Sequence, residues 1–167
     1  GEIRTNERQV LRESLGDGRE SMMLTMPAAW QRRAYATKVV GFVPDNPRHG
    51  RPAVQGVAVL LDASTGTPRL LTGAAVLTAR RTAAMVGLAT DRLARRDSRT
   101  LGLIGTGALA LDMILAVSEV RSIERVVAYN RSRDRALTLA ERAAIPTEVV
   151  GSAEDAAEAA DVLVVAT

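Results

Sequence analysis

The feature that most constrains this chain is a turn. Four residues, Leu101-Gly102-Leu103-Ile104, run directly into Gly105-Thr106-Gly107-Ala108-Leu109-Ala110, and an apolar stretch continues to Val120. The first block reads as a buried strand and the last as a helix, so a Gly-x-Gly-x-x-Ala turn joins strand to helix. Gly105 permits the tight turn, Gly107 keeps a Cβ away from an approaching pyrophosphate, and Ala110 is small enough for close helix–strand packing. The helix start adds free N–H groups and the positive end of a dipole. In that context a dinucleotide site is favoured over a glycine turn that merely packs. Its candidate residues are Gly105, Thr106, Gly107, Ala108 and Leu109.

The alternation continues beyond the turn. Arg125 to Tyr129 reads as a strand, 134–144 as a helix, 148–150 as a short strand, 153–160 as a helix and 162–165 as a strand. Strands alternating with helices imply right-handed βαβ units and a parallel sheet. The fold class is therefore α/β, with a Rossmann-type parallel sheet. A sheet whose last strand ends at Ala166-Thr167 has no following helix to cover it and would expose apolar surface. The domain is accordingly expected to be incomplete in this chain, as a fragment or with a partner chain completing it. Ala166 and Thr167 join the candidate cofactor residues.

The second strand ends at Tyr129-Asn130-Arg131-Ser132. Folds selective for NAD place an acid here to bind the ribose hydroxyls. Asn130 is neutral and does not repel a 2′-phosphate, Arg131 can pair with one, and Ser132 can donate to it. Arg133 and Arg135 add positive potential, unless these arginines simply form a solvated helix start. NADP(H) is favoured and NAD(H) remains possible.

Upstream the pattern is different. Strands are expected over 9–12, 22–26, 35–43 and 54–61, with another starting at Arg69. Leu15-Gly16-Asp17-Gly18 is a turn signal, and 44–52 and 64–68 are loops. A long alanine-rich helix is expected over 78–95, with Ala83, Ala84, Leu88 and Leu93 on one face. The organisation is thus a β-rich part (1–76), a connecting helix (77–96) and the start of a nucleotide-binding domain (97–167).

Composition narrows the classes. The 167 residues are 47% hydrophobic and 25% charged, which suits a globular protein. No cysteine is present, so disulfides and thiolate metal sites are excluded, and no metal is expected. No apolar run approaches the roughly 20 residues of a membrane span, and no signal peptide is read at the start, so a cytoplasmic protein is expected. The net charge of +3 is mild, the arginines are scattered, and 2% aromatic residues offer no base-stacking platform, so nucleic acid is not an expected partner. Of the 22 basic residues, Lys38 is the only lysine. A lysine in a chain that otherwise uses arginine suggests a position needing a compact or titratable ammonium, with chance as the alternative.

Five stretches, in order, resemble one family, the ornithine cyclodeaminases and mu-crystallin. They are Asn6-Glu7-Arg8-Gln9-Val10-Leu11-Arg12; Met26-Pro27-Ala28; Lys38-Val39-Val40 with Pro44-Asp45-Asn46-Pro47 and Gly50; Leu77-Thr78-Ala79-Arg80-Arg81-Thr82-Ala83-Ala84; and the Gly105–Ala110 turn. The resemblance runs from about Arg8 to Thr167. It implies a β-rich substrate and dimerisation domain before the Rossmann domain, a homodimer, and a small amino or imino acid as substrate. It also implies that Arg8 and Arg81 hold the substrate carboxylate, while Lys38 contacts the carboxylate or the reacting group and is the candidate catalytic residue. Leu109 stands where the family often has Gln. The family's catalytic aspartate lies beyond Thr167, so this chain alone is expected to be inactive.

Independently, a helix capped by Thr78 would put Arg81 in its first turn, where a cation opposes the dipole and a bound anion would offset the cost. His49, the lone histidine, lies in a loop and reads as solvent-exposed rather than as a general base. Glu154 and Asp155 read as a solvated helix face. The implied activity is hydride exchange between nicotinamide and the carbon bearing the substrate nitrogen, in a cyclodeaminase or in an imine reductase or amino-acid dehydrogenase. The competing class is a non-catalytic protein that holds NADP(H) or a small ligand.

Overall fold

The computed structural model describes residues 1–16 and 18–166; Asp17 and Thr167 lie outside the described residues. The chain forms two compact units, Gly1–Thr78 and Ala79–Thr167.

The first unit is an antiparallel sheet of β1 (Ile3–Thr5), β2 (Gln9–Ser14), β3 (Glu20–Trp30), β4 (Ala34–Phe42), β5 (Val54–Asp62) and β6 (Pro68–Gly73). Its order is β1-β3-β4-β5-β6, with β2 also on β3. Strand β3 extends well past the expected 22–26, through Pro27. The register explains how a proline is tolerated there. β1 pairs Thr5 with Ala28, and β2 resumes at Gln9 opposite Thr25. Met26 and Pro27 thus face a break between two strands on one edge, where a missing N–H breaks no ladder. Arg8 sits in that break, one residue before β2 rather than within a strand. The 44–52 loop contains a short 3-10 helix, Asn46–His49, closed by Gly50 in the left-handed region. The 15–18 turn keeps Gly16 and Gly18 at positive φ; its Asp17 is outside the described residues.

The long helix α1 spans Ala74–Leu93, four residues earlier at its start than expected. Its buried positions are Ala74 at the start and then Ala79, Ala83, Gly87 and Thr90, the last four at helical spacings of four, four and three. Of the face expected to be apolar only Ala83 is buried; Ala84, Leu88 and Leu93 are exposed. Alanine and glycine mark the packed stripe because they allow close approach, and the larger leucines lie off it.

The second unit carries a parallel sheet of β7 (Thr100–Ile104), β8 (Arg125–Tyr129), β9 (Thr147–Val149) and β10 (Val162–Val165), ordered β10-β7-β8-β9. Helices α2 (Ala110–Ser118), α3 (Arg133–Arg142) and α4 (Ala153–Glu158) lie between the strands in sequence. The chain is thus a mixed α/β protein, a β-rich sheet followed by a Rossmann-type sheet. Leu101, Leu103, Val126 and Ala128 of the central strands form one core with Met113, Ile114 and Val117 of α2, Leu139 of α3 and Ala83 of α1. Gly102 is required by packing, since a Cβ there would lie 2.5 Å from the Ala156 carbonyl oxygen of α4. On β10, Leu163 and Val165 are exposed. Among the described residues no helix is long and apolar enough to cross a membrane.

Candidate functional site

The nucleotide turn has the local geometry that its residues demand. Gly105 takes φ of 96°, a conformation open to glycine, and its N–H donates to the Tyr129 carbonyl at 2.8 Å. That bond fixes the turn to the end of β8. Ala110 is fully buried against the core, as its small size requires. Gly107 is exposed, and a Cβ there would meet nothing within 4 Å. Packing within the chain therefore gives no reason for a glycine at 107, whereas close approach of a ligand does.

Helix α2 begins with no side-chain cap at Leu109. Among the described residues, the backbone N–H groups of Thr106, Gly107, Ala108 and Leu109 donate to no protein group. The Thr106 hydroxyl is buried and has no partner. Four free N–H groups, an orphaned hydroxyl and a positive dipole end suit a phosphate oxyanion. A cavity of about 190 Å³ opens here, lined by Thr106, Gly107, Ala108 and Leu111 and by Arg135, Thr138 and Arg142 of α3. Thr138 and Arg142 did not emerge from the sequence. Their signal is spacing: 135, 138 and 142 share one helix face.

Asn130, Arg131, Ser132 and Arg135 line a second cavity of about 350 Å³. The Asn130 amide donates to the Ser132 carbonyl at 3.0 Å, which holds the loop before α3. Arg131, Arg133 and Arg135 are exposed. Arg135 borders both cavities. At the end of β10, the Ala166 N–H is committed to the Ile104 carbonyl at 2.7 Å, so this residue has only its carbonyl and methyl to offer. Thr167 lies outside the described residues.

Lys38 is built into the first unit by strand register. Met26, Lys38, Ala58 and Thr72 form one row across β3, β4, β5 and β6, and Ala36, Leu60 and Leu70 belong to the next row on the same face. These side chains, with Leu77, line a cavity of about 260 Å³. The Lys38 ammonium is half-buried and donates to the Thr78 hydroxyl at 3.2 Å. Thr78 is therefore an interior residue of α1 and an acceptor for Lys38, not the helix cap. Arg81 is then the eighth residue of the helix, beyond the first turn in which the dipole acts, so contrary to the expectation the dipole gives no reason for an anion at Arg81. Arg81 is exposed, and Arg80 pairs with Asp112 at 3.1 Å.

His49 is exposed at the end of the 3-10 helix. Glu154 and Asp155 are exposed, and Asp155 completes a capping box with Ser152 at the start of α4. The carboxyls held below the ordinary range lie elsewhere. Asp62 accepts from the hydroxyl and N–H of Ser64 and from the Thr65 N–H beside Arg69, and these keep it ionised. Asp161 is lowered by the N–H groups of Arg99 and Thr100 and by Arg95.

A model of the ornithine cyclodeaminase/mu-crystallin family matches residues 4–167. The chain is 37% identical over 153 residues to a Δ1-pyrroline-2-carboxylate reductase of Bacillus cereus, covering 89% of this chain and 47% of that protein. It is 36% identical over 152 residues to an ornithine cyclodeaminase of Agrobacterium fabrum, covering 89% and 43%. The structure of Thermococcus litoralis Δ1-pyrroline-2-carboxylate reductase, in complex with NADH and L-proline, matches with a TM-score of 0.86 and 34% identity, covering 99% of this chain and 52% of that one. The chain spans about half the length of the curated relatives it matches.

Proposed function

This chain belongs to the ornithine cyclodeaminase/mu-crystallin family, and we propose that the whole protein exchanges hydride between a nicotinamide dinucleotide and the nitrogen-bearing carbon of a small amino or imino acid. The observation that carries this reading is the turn at Gly105–Leu109, with its four uncommitted N–H groups and the orphaned Thr106 hydroxyl. These groups would hold the pyrophosphate, with the N-terminal dipole of α2 behind them. When bound, the nicotinamide supplies or withdraws the hydride. Lys38 would bind and orient the anionic substrate, with its ammonium set by Thr78 at 3.2 Å. Arg8 and Arg81 are proposed as further carboxylate ligands, a role that rests on the family motifs around them. Exposed Leu11, Met23, Tyr35, Val57 and Leu71 share the sheet face opposite Lys38. Burying that apolar surface against a second copy supports a homodimer.

NADP(H) is the proposed cofactor, with the 2′-phosphate in the cavity of Asn130, Arg131, Ser132 and Arg135. The Thermococcus relative was captured with NADH, so the preference is a property to be measured on this protein. A charge-assisted contact to the phosphate is worth about 1.5–3 kcal/mol. Arg131→Ala should therefore lower the NADPH/NADH ratio of kcat/KM by about tenfold or more. Equal affinity for both cofactors in the unmodified protein would refute the assignment.

A further inference from the structure

The cavity at the nucleotide turn has two unlike walls. One is the turn itself, Thr106-Gly107-Ala108, with Leu111 of α2 beside it. Thr106 is only 9% exposed and its hydroxyl has no partner, and Leu109 gives α2 no side-chain cap. The other wall is α3, which presents Arg135, Thr138, Leu139 and Arg142. At about 100° per residue these side chains share an arc of roughly 100°, and buried Leu139 turns that arc inward. Asp134 and Glu141, the acids of α3, lie on a different face. The Thr138 hydroxyl is committed to the Asp134 backbone carbonyl at 2.9 Å. The charged donors that α3 offers the cavity are therefore the guanidiniums of Arg135 and Arg142.

A dinucleotide places a diphosphate at such a turn, with a negative charge on each phosphate. The free N–H groups and the dipole end of α2 amount to roughly half a positive charge. The guanidiniums would complete the match, each with a fork of N–H donors suited to phosphate oxygens. Arg135 also borders the cavity of Asn130, Arg131 and Ser132, whereas Arg142 does not. We propose, resting on the dinucleotide reading above, that Arg142 is a ligand of the cofactor's diphosphate and that Arg135 is shared between the diphosphate and a 2′-phosphate. Arg142 then adds affinity for any ligand carrying the diphosphate, with or without a 2′-phosphate, and Arg135 adds affinity for both groups. Arg142 also lies in the last turn of α3, where a cation suits the helix dipole. That role alone would show in the melting temperature and not in ligand binding.

The test uses the whole protein and calorimetric titration with ADP-ribose, which carries the diphosphate, and adenosine 2′-monophosphate, which does not. NADH and NADPH are titrated in parallel. Arg142→Gln should weaken ADP-ribose, NADH and NADPH by the same factor, about tenfold, so that the NADPH-to-NADH ratio does not move. Adenosine 2′-monophosphate should stay within about twofold. Arg142→Lys should be intermediate, since it keeps the charge and loses the fork. Arg135→Gln should weaken both ADP-ribose and adenosine 2′-monophosphate, and NADPH more than NADH; loss of only one of the first two would refute the sharing. Unchanged ADP-ribose affinity in a folded Arg142→Gln variant overturns the inference. So does an equal loss for adenosine 2′-monophosphate, which would mark a change in the fold or in the general field. Either result would leave the hydride-exchange reading standing. Failure of the unmodified protein to bind NADH, NADPH and ADP-ribose would remove that reading and this inference together.

Discussion

Replacing Arg121 with methionine should make the second unit unfold under markedly milder conditions. Arg121 is only 8% exposed. Its guanidinium donates to five backbone carbonyls, those of Arg95 (2.9 Å), Val120 (2.6 Å), Thr90 (2.9 Å), Asp91 (3.0 Å) and Ala94 (2.7 Å). Thr90 and Asp91 belong to the last turn of α1, and Ala94 lies just past its end. The cation therefore caps the negative end of that helix dipole, and the Asp91 carboxylate at 3.6 Å adds an opposite charge. One charge-assisted bond is worth about 1.5–3 kcal/mol, but five bonds from one side chain do not add. A polar cavity lined by Asp91, Arg96 and Val120 lets water reach some of the abandoned carbonyls. The net loss should therefore fall near the low end of the range for breaking a buried charge arrangement, about 3 kcal/mol. For a unit of this size, residues 79–167, that is a fall of about 12–24 °C in its Tm. Differential scanning calorimetry, with the two transitions resolved, reads the shift. Arg121→Lys should be intermediate, since an ammonium keeps the charge but cannot span five carbonyls. A shift below about 1 kcal/mol for Arg121→Met would mean that water replaces the guanidinium without penalty, and would refute the capping role.

Two further outcomes follow from single side chains. Lys38→Ala should lower kcat/KM of the whole protein by about 100-fold, roughly 2.7 kcal/mol, with cofactor binding unchanged. Lys38→Arg should also be impaired, because a planar fork does not reproduce an ammonium beside Thr78; full activity in that variant would make the lone lysine an accident of composition. Asp161 has a folded-state pKa below its unfolded value of about 3.9, so its contribution to stability is complete above that pH and is lost as pH falls through the folded value. The urea midpoint of Asp161→Asn should accordingly lie below that of the unmodified protein at neutral pH, and the two should converge below about pH 4. A gap that stays constant with pH would rule out the carboxylate charge as its source.

The second unit was legible because its central strands, β7 and β8, are buried on both faces. Such strands are short apolar blocks, and between glycine and polar breaks they have few competing interpretations. Arg125–Tyr129 and Val162–Val165 fall where the sequence puts them. Of the antiparallel strands, β1 (Ile3–Thr5) was not foreseen; the others were located, with β2, β3 and β6 longer than expected. Their true ends depend on pairing, and Pro27 would have argued against a long β3 without the break opposite it. The start of α1 was lost for a similar reason. Thr78 has the chemistry of a cap, but Ala74, Ala75 and Leu77 are good helix formers and already continue the helix upstream. That four-residue error placed Arg81 in the first turn, whereas the observed start puts it beyond reach of the dipole.

The candidate sites divide along the same line. The nucleotide turn is local: its glycines, its free N–H groups and the following helix are consecutive in sequence, so the pattern contains the site. The cavity under Lys38 is not local, because Met26, Ala58 and Thr72 come from three other strands and meet only through register. Sequence composition could single out Lys38 by rarity but could not supply the aliphatic wall beside it. Arg121 is the opposite case. It is one of 21 arginines (22 basic residues less the one lysine), in a stretch that reads as an ordinary helix-to-strand link. Only the five carbonyls around it distinguish it from the exposed arginines on either side of the fold. In this chain a cation's rarity points to chemistry and its burial points to architecture. Substitutions at Lys38 and Arg121 should therefore separate: the first should change turnover with little change in Tm, and the second should change Tm first.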